Sequence, residues 1–334
     1  GYQDSYQLRE EDGLIYLERR DGSQLEVCVL DGNITEEGLG ITEDVDLSGV
    51  SQVFHLAATT KLSQDNKDII LDLNFQGTKN VLEYFETQSN GARFNYVSTA
   101  YVAGNLEKAR EVIFDPNPDE VHNPYELSKR KAENLVRNLV EDSDSFAGYR
   151  IFRPSIIVGP SDGGPLPDNF RYEMIYGPPM FFYAVKCLKA GLDPFEPGDL
   201  ASRDVDIDLT FRADPDATLN LIPVDYLVDM MTRISFSESK DKVYHCANPN
   251  PDIKIQEIID SVKRVMNVQG LEVSPVIGAS IFDKISYGIG KVCDRVGCRK
   301  PGLVRGRSGV LEEAIDRYTK AYQPYTLSHD PDFD

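Results

Sequence analysis

The sequence has few basic residues, few cysteines and no long hydrophobic run. Lys and Arg number 35 against 55 Asp and Glu, which gives a formal net charge of −20. A surface of this sign repels nucleic-acid phosphates and anionic membranes, so we expect no nucleic-acid partner. A run of about 18 apolar residues is absent, so no membrane-spanning helix is predicted. The chain also opens without a signal-peptide pattern.

The five cysteines are scattered over a chain of 334 residues. An odd number without a disulfide framework is typical of reduced thiols, which predicts a cytoplasmic protein. Cys293 and Cys298 lie close together, but no His or further Cys completes a zinc pattern, so no metal site is predicted.

Short apolar runs alternate with helical patterns through the first half of the chain. Strands are predicted at residues 25–30, 53–56, 94–98 and 149–152, and helices at 69–86 and 124–140. Residues 1–14 show no strand pattern. Strands that alternate with helices predict an α/β fold with a doubly wound, Rossmann-like parallel sheet covered by helices on both faces.

The composition changes after residue 159. Residues 161–179 are rich in Gly, Pro and Asp and are predicted to be a loop, while the acidic residues 193–216 are predicted to be irregular. The remaining predicted elements follow in chain order: a helix at 180–190, a strand at 219–224, a helix at 225–234, a strand at 242–247, a helix at 255–266 and mainly helical structure at 277–322. We therefore expect a sheet domain of residues 1–158, to which 219–247 return, and a smaller, mainly helical substrate lobe of residues 159–218 and 248–334.

A doubly wound nucleotide-binding sheet usually opens with a strand, a glycine-rich turn and a helix that receives the phosphates. Residues 1–33 contain no such turn. A sheet without its first strand would expose apolar surface and unpaired backbone groups. We therefore expect that the printed sequence lacks the natural start of the protein, in preference to a true loss of the segment.

Tyr125 and Lys129 are four residues apart on a predicted helix and so share one face. An ammonium near a phenol is expected to lower the tyrosine pKa, which suits Tyr125 for proton transfer to a carbonyl oxygen. The spacing alone is weak evidence, because Tyr287 and Lys291 repeat it.

Other polar or small residues stand where the predicted strands end. Ser98 and Thr99 follow one strand, at the sheet edge where ligands of open α/β sheets bind. His55, Ala57 and Ala58 close another. Asn74 begins an Asn-x-x-Gly sequence inside a predicted helix, which is unfavourable by propensity and indicates a packing or functional reason.

These features resemble the extended short-chain dehydrogenase/reductase superfamily. The shared motifs are HLAA (55–58), N-x-x-GT (74–78), VSTAYVAG (97–104), YELSK (125–129), RPSIIVG (153–159) and IPVDYLVD (222–229). Among its members, the chain is most similar to the thioester reductase and fatty acyl-CoA reductase branch, whose Gly-Asp-Ile-Thr segment corresponds to residues 32–41. In this chain Asn33 stands where that segment has its acidic residue.

The resemblance implies an enzyme, with a nicotinamide dinucleotide bound by the sheet domain. NADP is the expected cofactor and NAD the alternative. The implied catalytic residues are Thr99, Tyr125, Lys129 and Asn74, of which Lys129 would also bind the nicotinamide ribose and Asn74 would hold a water near it. The implied cofactor contacts are Asn33, Ile34, His55, Ala57, Ala58, Tyr125, Lys129, Pro154, Ser155 and Ile156.

The implied reaction is reduction of an acyl thioester, bound to coenzyme A or to a carrier protein, to an aldehyde or an alcohol. Two other functions share the same residues: a reductase, epimerase or dehydratase acting on a nucleotide sugar or another carbonyl compound, and a non-catalytic dinucleotide sensor.

A basic cluster could receive phosphates of the thioester carrier, although a solvated face is the commoner explanation: Arg295, Arg299, Lys300, Arg305 and Arg307. Aromatic residues could line an acyl pocket but more often form core: Tyr176, Phe181, Phe182 and Tyr183. His122 and His245 are expected to be structural.

Overall fold

The computed structural model describes residues 6–11, 14–19, 24–43, 45–62, 64–106, 108–166, 174–191, 200, 203–240, 242–249, 253–275 and 332–333. The strands are β1 (Tyr6–Glu11), β2 (Leu14–Arg19), β3 (Gln24–Val27), β4 (Gln52–His55), β5 (Ala92–Val97), β6 (Lys108–Ala109), β7 (Phe146–Pro154), β8 (Ile156–Val158), β9 (Val205–Arg212), β10 (Thr218–Leu219), β11 (Leu221–Pro223), β12 (Val243–Cys246), β13 (Ile253–Lys254), β14 (Val268–Ser274) and β15 (Asp332–Phe333). The helices are α1 (Lys67–Leu71), α2 (Gly77–Gln88), α3 (Pro124–Glu141), α4 (Gly177–Lys189), α5 (Val224–Ser235) and α6 (Ile255–Met266).

Four parallel strands form the central sheet in the order β12–β7–β5–β4. They correspond to the strands predicted at 242–247, 149–152, 94–98 and 53–56. Helices α2 and α3 pack on the sheet face that carries Ile151, and α5 packs on the opposite face with Phe152, because neighbouring residues of a strand point to opposite sides. The α/β fold class with a doubly wound parallel sheet is thereby confirmed.

The helix predicted at 69–86 is interrupted by a π-helical turn at Asp72–Gln76, which joins α1 to α2. The Asn-x-x-Gly sequence spans this turn. Gly77 has a packing reason, since a Cβ atom there would lie 2.7 Å from Ile34 Cδ1. The glycine therefore lets the segment around Ile34 approach the helix closely.

Helix α3 begins as its sequence predicts. Asn123 is the N-cap, and its side chain accepts a hydrogen bond from the Glu126 backbone N–H; Pro124 follows in the first turn, where no backbone donor is needed. These features place Tyr125 in the first turn and Lys129 one turn later, on a helix that runs to Glu141.

The N-terminal predictions were wrong in two respects. Residues 1–14 include a strand, β1, which pairs antiparallel with β2. The strand predicted at 25–30 is β3, which ends at Val27 and pairs antiparallel with β2, not with the parallel sheet. Ladder hydrogen bonds join backbone groups, so a strand rich in charged residues such as β1 can form without an apolar pattern.

Residues 193–216 are also not wholly irregular, because they contain β9, which pairs parallel with β14. In β9 apolar residues alternate with acidic ones, and Ile207 and Leu209 are buried. The acidic composition concealed a period of two, which is the signal of a half-buried strand. The predicted loop at 161–179 likewise ends early, since a 3₁₀ turn at Met174–Tyr176 leads into α4.

The other predictions beyond residue 180 agree with the structure in part. The helices predicted at 225–234 and 255–266 are α5 and α6. The strand predicted at 219–224 is divided into β10 and β11, which pair with β13 and β8. The helical prediction for 277–322 lies outside the described residues. The division into a sheet domain and a substrate lobe stays a prediction.

Gly104 is expected to be irreplaceable by alanine. Its φ of 60° and ψ of −124° are accessible mainly to glycine, and a Cβ atom would lie 2.0 Å from the Glu120 carbonyl oxygen. That oxygen is held by the Asn105 backbone N–H at 3.0 Å. We expect Gly104→Ala to lower the free energy of unfolding by about 3 kcal/mol or more, measured by chemical denaturation.

Gly163 is the matched control, since its φ is also positive, at 71°, but a Cβ atom would meet nothing within 4 Å. Gly163→Ala should therefore cost only the conformational term of about 1–2 kcal/mol. Equal losses for the two variants would contradict the steric explanation.

Candidate active site

Thr99 and Tyr125 meet at the carboxyl edge of the central sheet. Thr99 follows β5 and caps a 3₁₀ helix, where its hydroxyl oxygen accepts a hydrogen bond from the Tyr101 backbone N–H at 3.3 Å. The Thr99 hydroxyl lies close enough to the Tyr125 phenol to lower the pKa of that phenol. Thr99 is 5% exposed, and the ring of Tyr125 packs against a cluster of apolar side chains. The structure therefore brings these two predicted residues together.

Tyr125 is protonated at neutral pH. Burial raises the pKa of Tyr125 to about 12, because a phenolate loses its hydration there. The Thr99 hydroxyl opposes this effect, and the negative charge of Glu126 adds to it. The expectation that the tyrosine pKa is lowered was therefore wrong, and the protonated phenol suits Tyr125 to donate a proton.

Lys129 is buried one helical turn after Tyr125. Its Nζ donates a hydrogen bond to the Val97 carbonyl oxygen at 2.9 Å and lies 4.9 Å from the centre of the Tyr96 ring. Burial lowers the pKa of Lys129 to about 8, against an opposing effect of Glu133. The ammonium group thus ties α3 to the end of β5, two residues before Thr99.

Asn74 lies in the π-helical turn and is 1% exposed. Its Oδ1 accepts a hydrogen bond from the Thr59 backbone N–H at 2.8 Å, and its Nδ2 donates to the Thr59 carbonyl at 3.0 Å and to Ser128 Oγ at 2.9 Å. Both N–H bonds of the amide are therefore committed to protein groups. The catalytic role of Asn74 stays a prediction.

His55 faces helix α2. Its Nε2 is 3.0 Å from Thr78 Oγ1, and the Thr78 hydroxyl donates to the Asn74 carbonyl at 2.7 Å. The Thr78 hydroxyl gives its single proton to the Asn74 carbonyl, so its oxygen can only accept a hydrogen bond from His55. His55 therefore carries its proton on Nε2. Burial, followed by the positive charge of Lys129, lowers the pKa of His55 to about 3, so the ring is neutral.

The other predicted cofactor residues lie in three segments. Ala57 and Ala58 are exposed just after β4. The Asn33 side chain holds its own turn, since its Oδ1 accepts from Thr35 and its Nδ2 donates to Glu36. The carbonyl of Ile34 accepts a hydrogen bond from Asn80 Nδ2 at 2.8 Å, which joins this segment to α2.

Pro154 ends β7, next to the candidate site. The backbone N–H groups of Ser155 and Ile156 donate to the carbonyls of Cys246 and Asn220, at 3.1 Å each. Within the described part of the chain, the buried hydroxyls of Ser155 and Ser98 have no hydrogen-bond partner. The hydroxyls of Ser98, after β5, and Ser155, after β7, are therefore both able to form further hydrogen bonds.

The sequence interpretation missed two groups of residues. Ser128 joins Asn74 to the first turn of α3, and its only signal was its place beside Lys129. Arg153 and Glu133 form a fully buried ion pair, which joins β7 to α3. The motif that contains Arg153 gave no sign of this pairing.

The aromatic residues predicted for an acyl pocket lie among the described residues, whereas the predicted basic cluster does not. Phe182 is core at 1% exposure, and the Tyr176 hydroxyl accepts a hydrogen bond from the Gly159 backbone N–H at 2.7 Å. The basic cluster from Arg295 to Arg307 and the pair Cys293 and Cys298 lie outside the described residues. In the part of the chain that the structure describes, no group of His, Cys, Asp and Glu could hold a metal ion, and no helix could span a membrane.

Comparisons with known proteins identify the family of the chain. The male sterility protein family model matches residues 10–192. Fatty acyl-CoA reductase 1 of Gallus gallus is 26% identical over 256 residues, covering 66% of this chain and 44% of the relative. The human protein of that name is 25% identical over the same length. The chain thus spans less than half the length of these relatives.

Solved structures support the fold. The terminal R domain of the myxalamid PKS-NRPS biosynthetic pathway superposes with a TM-score of 0.55 at 19% identity, covering 90% of this chain and 66% of that one. A thiolation-reductase di-domain from an archaeal non-ribosomal peptide synthetase gives 0.51 at 19%, covering 89% and 74%. The chain therefore belongs to the male sterility protein family of NAD-binding domains, within the extended short-chain dehydrogenase/reductase superfamily.

Proposed function

We propose that the protein is an NAD(P)H-dependent reductase of acyl thioesters, carried by coenzyme A or by a carrier protein. The observation that carries the proposal is the Thr99 hydroxyl beside a protonated Tyr125, with Lys129 one helical turn away. The names of the relatives favour a thioester over other carbonyl compounds. NADP is the cofactor proposed from the resemblance, and a cytoplasmic location stays a prediction.

The residues at this sheet edge fit a nicotinamide dinucleotide. Ala57 and Ala58 are small and exposed, so a planar group can approach the end of β4 closely. Ser98 and Ser155 have hydroxyls with bonding capacity to spare. When bound, the dinucleotide would supply the hydride. Ala57, Ala58 and Ser155 would line it, and Lys129 would hold its ribose.

Thr99 and Tyr125 would bind the carbonyl oxygen of the thioester. Negative charge grows on that oxygen as the carbonyl carbon is reduced, and hydroxyl donors stabilise it. Tyr125 would transfer its proton to the oxygen, which gives a hemithioacetal. Loss of the thiol from this adduct leaves an aldehyde. A second hydride on the aldehyde carbon, with a second proton from Tyr125, would give an alcohol.

The test is dinucleotide oxidation by the full-length protein with a series of acyl-CoA and acyl-carrier thioesters. We expect the absorbance of NADPH to fall and an aldehyde or alcohol to form. Nucleotide sugars are the comparison substrates, because Thr99, Tyr125 and Lys129 would equally serve a reductase, epimerase or dehydratase that acts on them. Turnover of a nucleotide sugar, with no thioester of any length reduced, would replace the proposed function by that alternative.

Lys129 is expected to give dinucleotide binding a pH dependence. Its pKa of about 8 means that the ammonium loses its proton as the pH rises through that value. Affinity for NADPH should therefore fall between about pH 7 and pH 9, as the positive charge is lost. Lys129→Arg keeps its charge over this range and should flatten the profile. Titrations at a series of pH values measure both, and a constant wild-type affinity would contradict the prediction.

A further inference from the structure

A chain of buried hydrogen bonds connects the π-helical turn to the first turn of α3. Ser128 lies at its centre and is fully buried. Its Oγ accepts from Asn74 Nδ2 at 2.9 Å and donates to the Tyr125 carbonyl oxygen at 2.7 Å. The hydroxyl therefore joins two elements that meet at the candidate site.

The direction of each bond follows from the groups involved. The backbone of Thr59 orients the Asn74 side-chain amide. The Thr59 N–H can only donate, so it faces Asn74 Oδ1, and the Thr59 carbonyl can only accept, so it faces Asn74 Nδ2. The second N–H of the amide then points at Ser128, whose single proton is used on the Tyr125 carbonyl. Only one arrangement satisfies all four groups, so the network is specific.

The network connects the two parts of the candidate site. Thr59 follows Ala57 and Ala58, the proposed cofactor contacts, while Tyr125 and Lys129 belong to α3 on the other side. The π-helical turn between α1 and α2 places Asn74 against α3, and π turns recur at functional sites. Loss of Ser128 Oγ would remove the hydrogen bond that joins Asn74 to α3.

We propose that Ser128 is a positioning residue, which holds Tyr125 and Lys129 in register with the segment 57–60 through Asn74. This inference rests on the proposed function, since the placement of Tyr125 and Lys129 relative to residues 57–60 is given a role in hydride transfer to a thioester. Ser128 has no role in contacting the substrate. It acts through the backbone of Tyr125 and the side chain of Asn74.

Ser128→Ala tests the proposal in the full-length protein. We expect kcat to fall by about tenfold and the Kd for NADPH to rise by about fivefold, because small misplacements of reacting groups are costly. The KM for the thioester should stay within about twofold, since no thioester contact is lost. Ser128→Thr retains the hydroxyl and should keep most of the wild-type kcat. Adding Asn74→Ala to Ser128→Ala should lower kcat less than the two separate effects combined, because both break one network.

Ser235→Ala is the matched control, because Ser235 is also buried and its Oγ donates to Asn95 Oδ1 at 3.1 Å, away from the site. If both alanine variants lose similar thermal stability while Ser128→Ala keeps wild-type kcat and Kd, Ser128 is merely structural and the proposal is overturned.

Failure of the proposed function can be distinguished from failure of the positioning role of Ser128. A wild-type protein that binds NADPH but reduces no thioester would overturn that function alone. Ser128 would then be tested by its NADPH affinity and by hydrogen exchange of the Thr59 amide, which Asn74 protects. Weaker binding with faster exchange in Ser128→Ala would support the positioning role, and wild-type values would refute it.

Discussion

Tyr125→Phe should lower the rate of thioester reduction by about 10²–10⁴-fold, the usual contribution of a positioned general acid. The phenylalanine ring keeps the apolar contacts but has no proton to give to the carbonyl oxygen. Because the pKa of Tyr125 is about 12, the phenol is available as an acid throughout the neutral range. Steady-state kinetics with NADPH measure the loss as a fall in kcat.

Tyr149→Phe is the control for this substitution. Burial raises the pKa of Tyr149 to about 12 as well, but its hydroxyl donates to Glu141 at 3.3 Å, away from Thr99. This variant should keep wild-type activity. A Tyr125→Phe protein with undiminished turnover would remove Tyr125 from the mechanism.

Breaking the pair of Glu133 and Arg153 should have the largest effect on stability. Both side chains are fully buried, and two hydrogen bonds of 2.9 and 2.6 Å join the guanidinium to the carboxylate. Arg153 also donates to the carbonyls of Arg110 and Val112. Glu133→Gln leaves the guanidinium buried without its counter-charge, so we expect a loss of about 3–5 kcal/mol in the free energy of unfolding. Chemical denaturation measures it.

Asp229→Asn is the control for an exposed pair. Asp229 and Arg233 are 2.7 Å apart on α5, with side chains 57% and 77% exposed. Solvent screens such pairs, so this variant should lose no more than about 0.5 kcal/mol. If Glu133→Gln lost as little free energy of unfolding as Asp229→Asn, burial of the Glu133–Arg153 pair would not be what makes that pair stabilising.

Much of the fold was predictable because each element carries its own local pattern. Helix α6 has apolar residues at helical spacing, and its bounds agree with the prediction at 255–266. Helix α3 carries its cap and its proline in adjacent positions. Strand β9 was missed because acidic residues occupy its exposed face, and β1 because its pairing with β2 depends on backbone groups.

The candidate site was predictable in its residues but not in its electrostatics. Thr99, Tyr125 and Lys129 were identified from motifs, and the structure brings them to one sheet edge. The raised pKa of Tyr125 was not foreseen, because the cost of burying a phenolate depends on how completely the surrounding elements exclude water. Spacing along a helix carries no information on that exclusion.

The sequence by itself determined the four strands of the parallel sheet and the helices α2, α3 and α5 that cover it, the α/β class and the identity of the proposed general acid. Each depends on neighbouring residues or on motifs that lie within one segment. Only the tertiary structure decided which polar groups meet: Asn74 with Ser128, 54 residues apart, and Glu133 with Arg153, 20 apart. Hydrogen bonds and charges act over a few ångströms in space, so their partners are set when helices pack on the sheet. The same packing buries part of Tyr125 and keeps its proton in place.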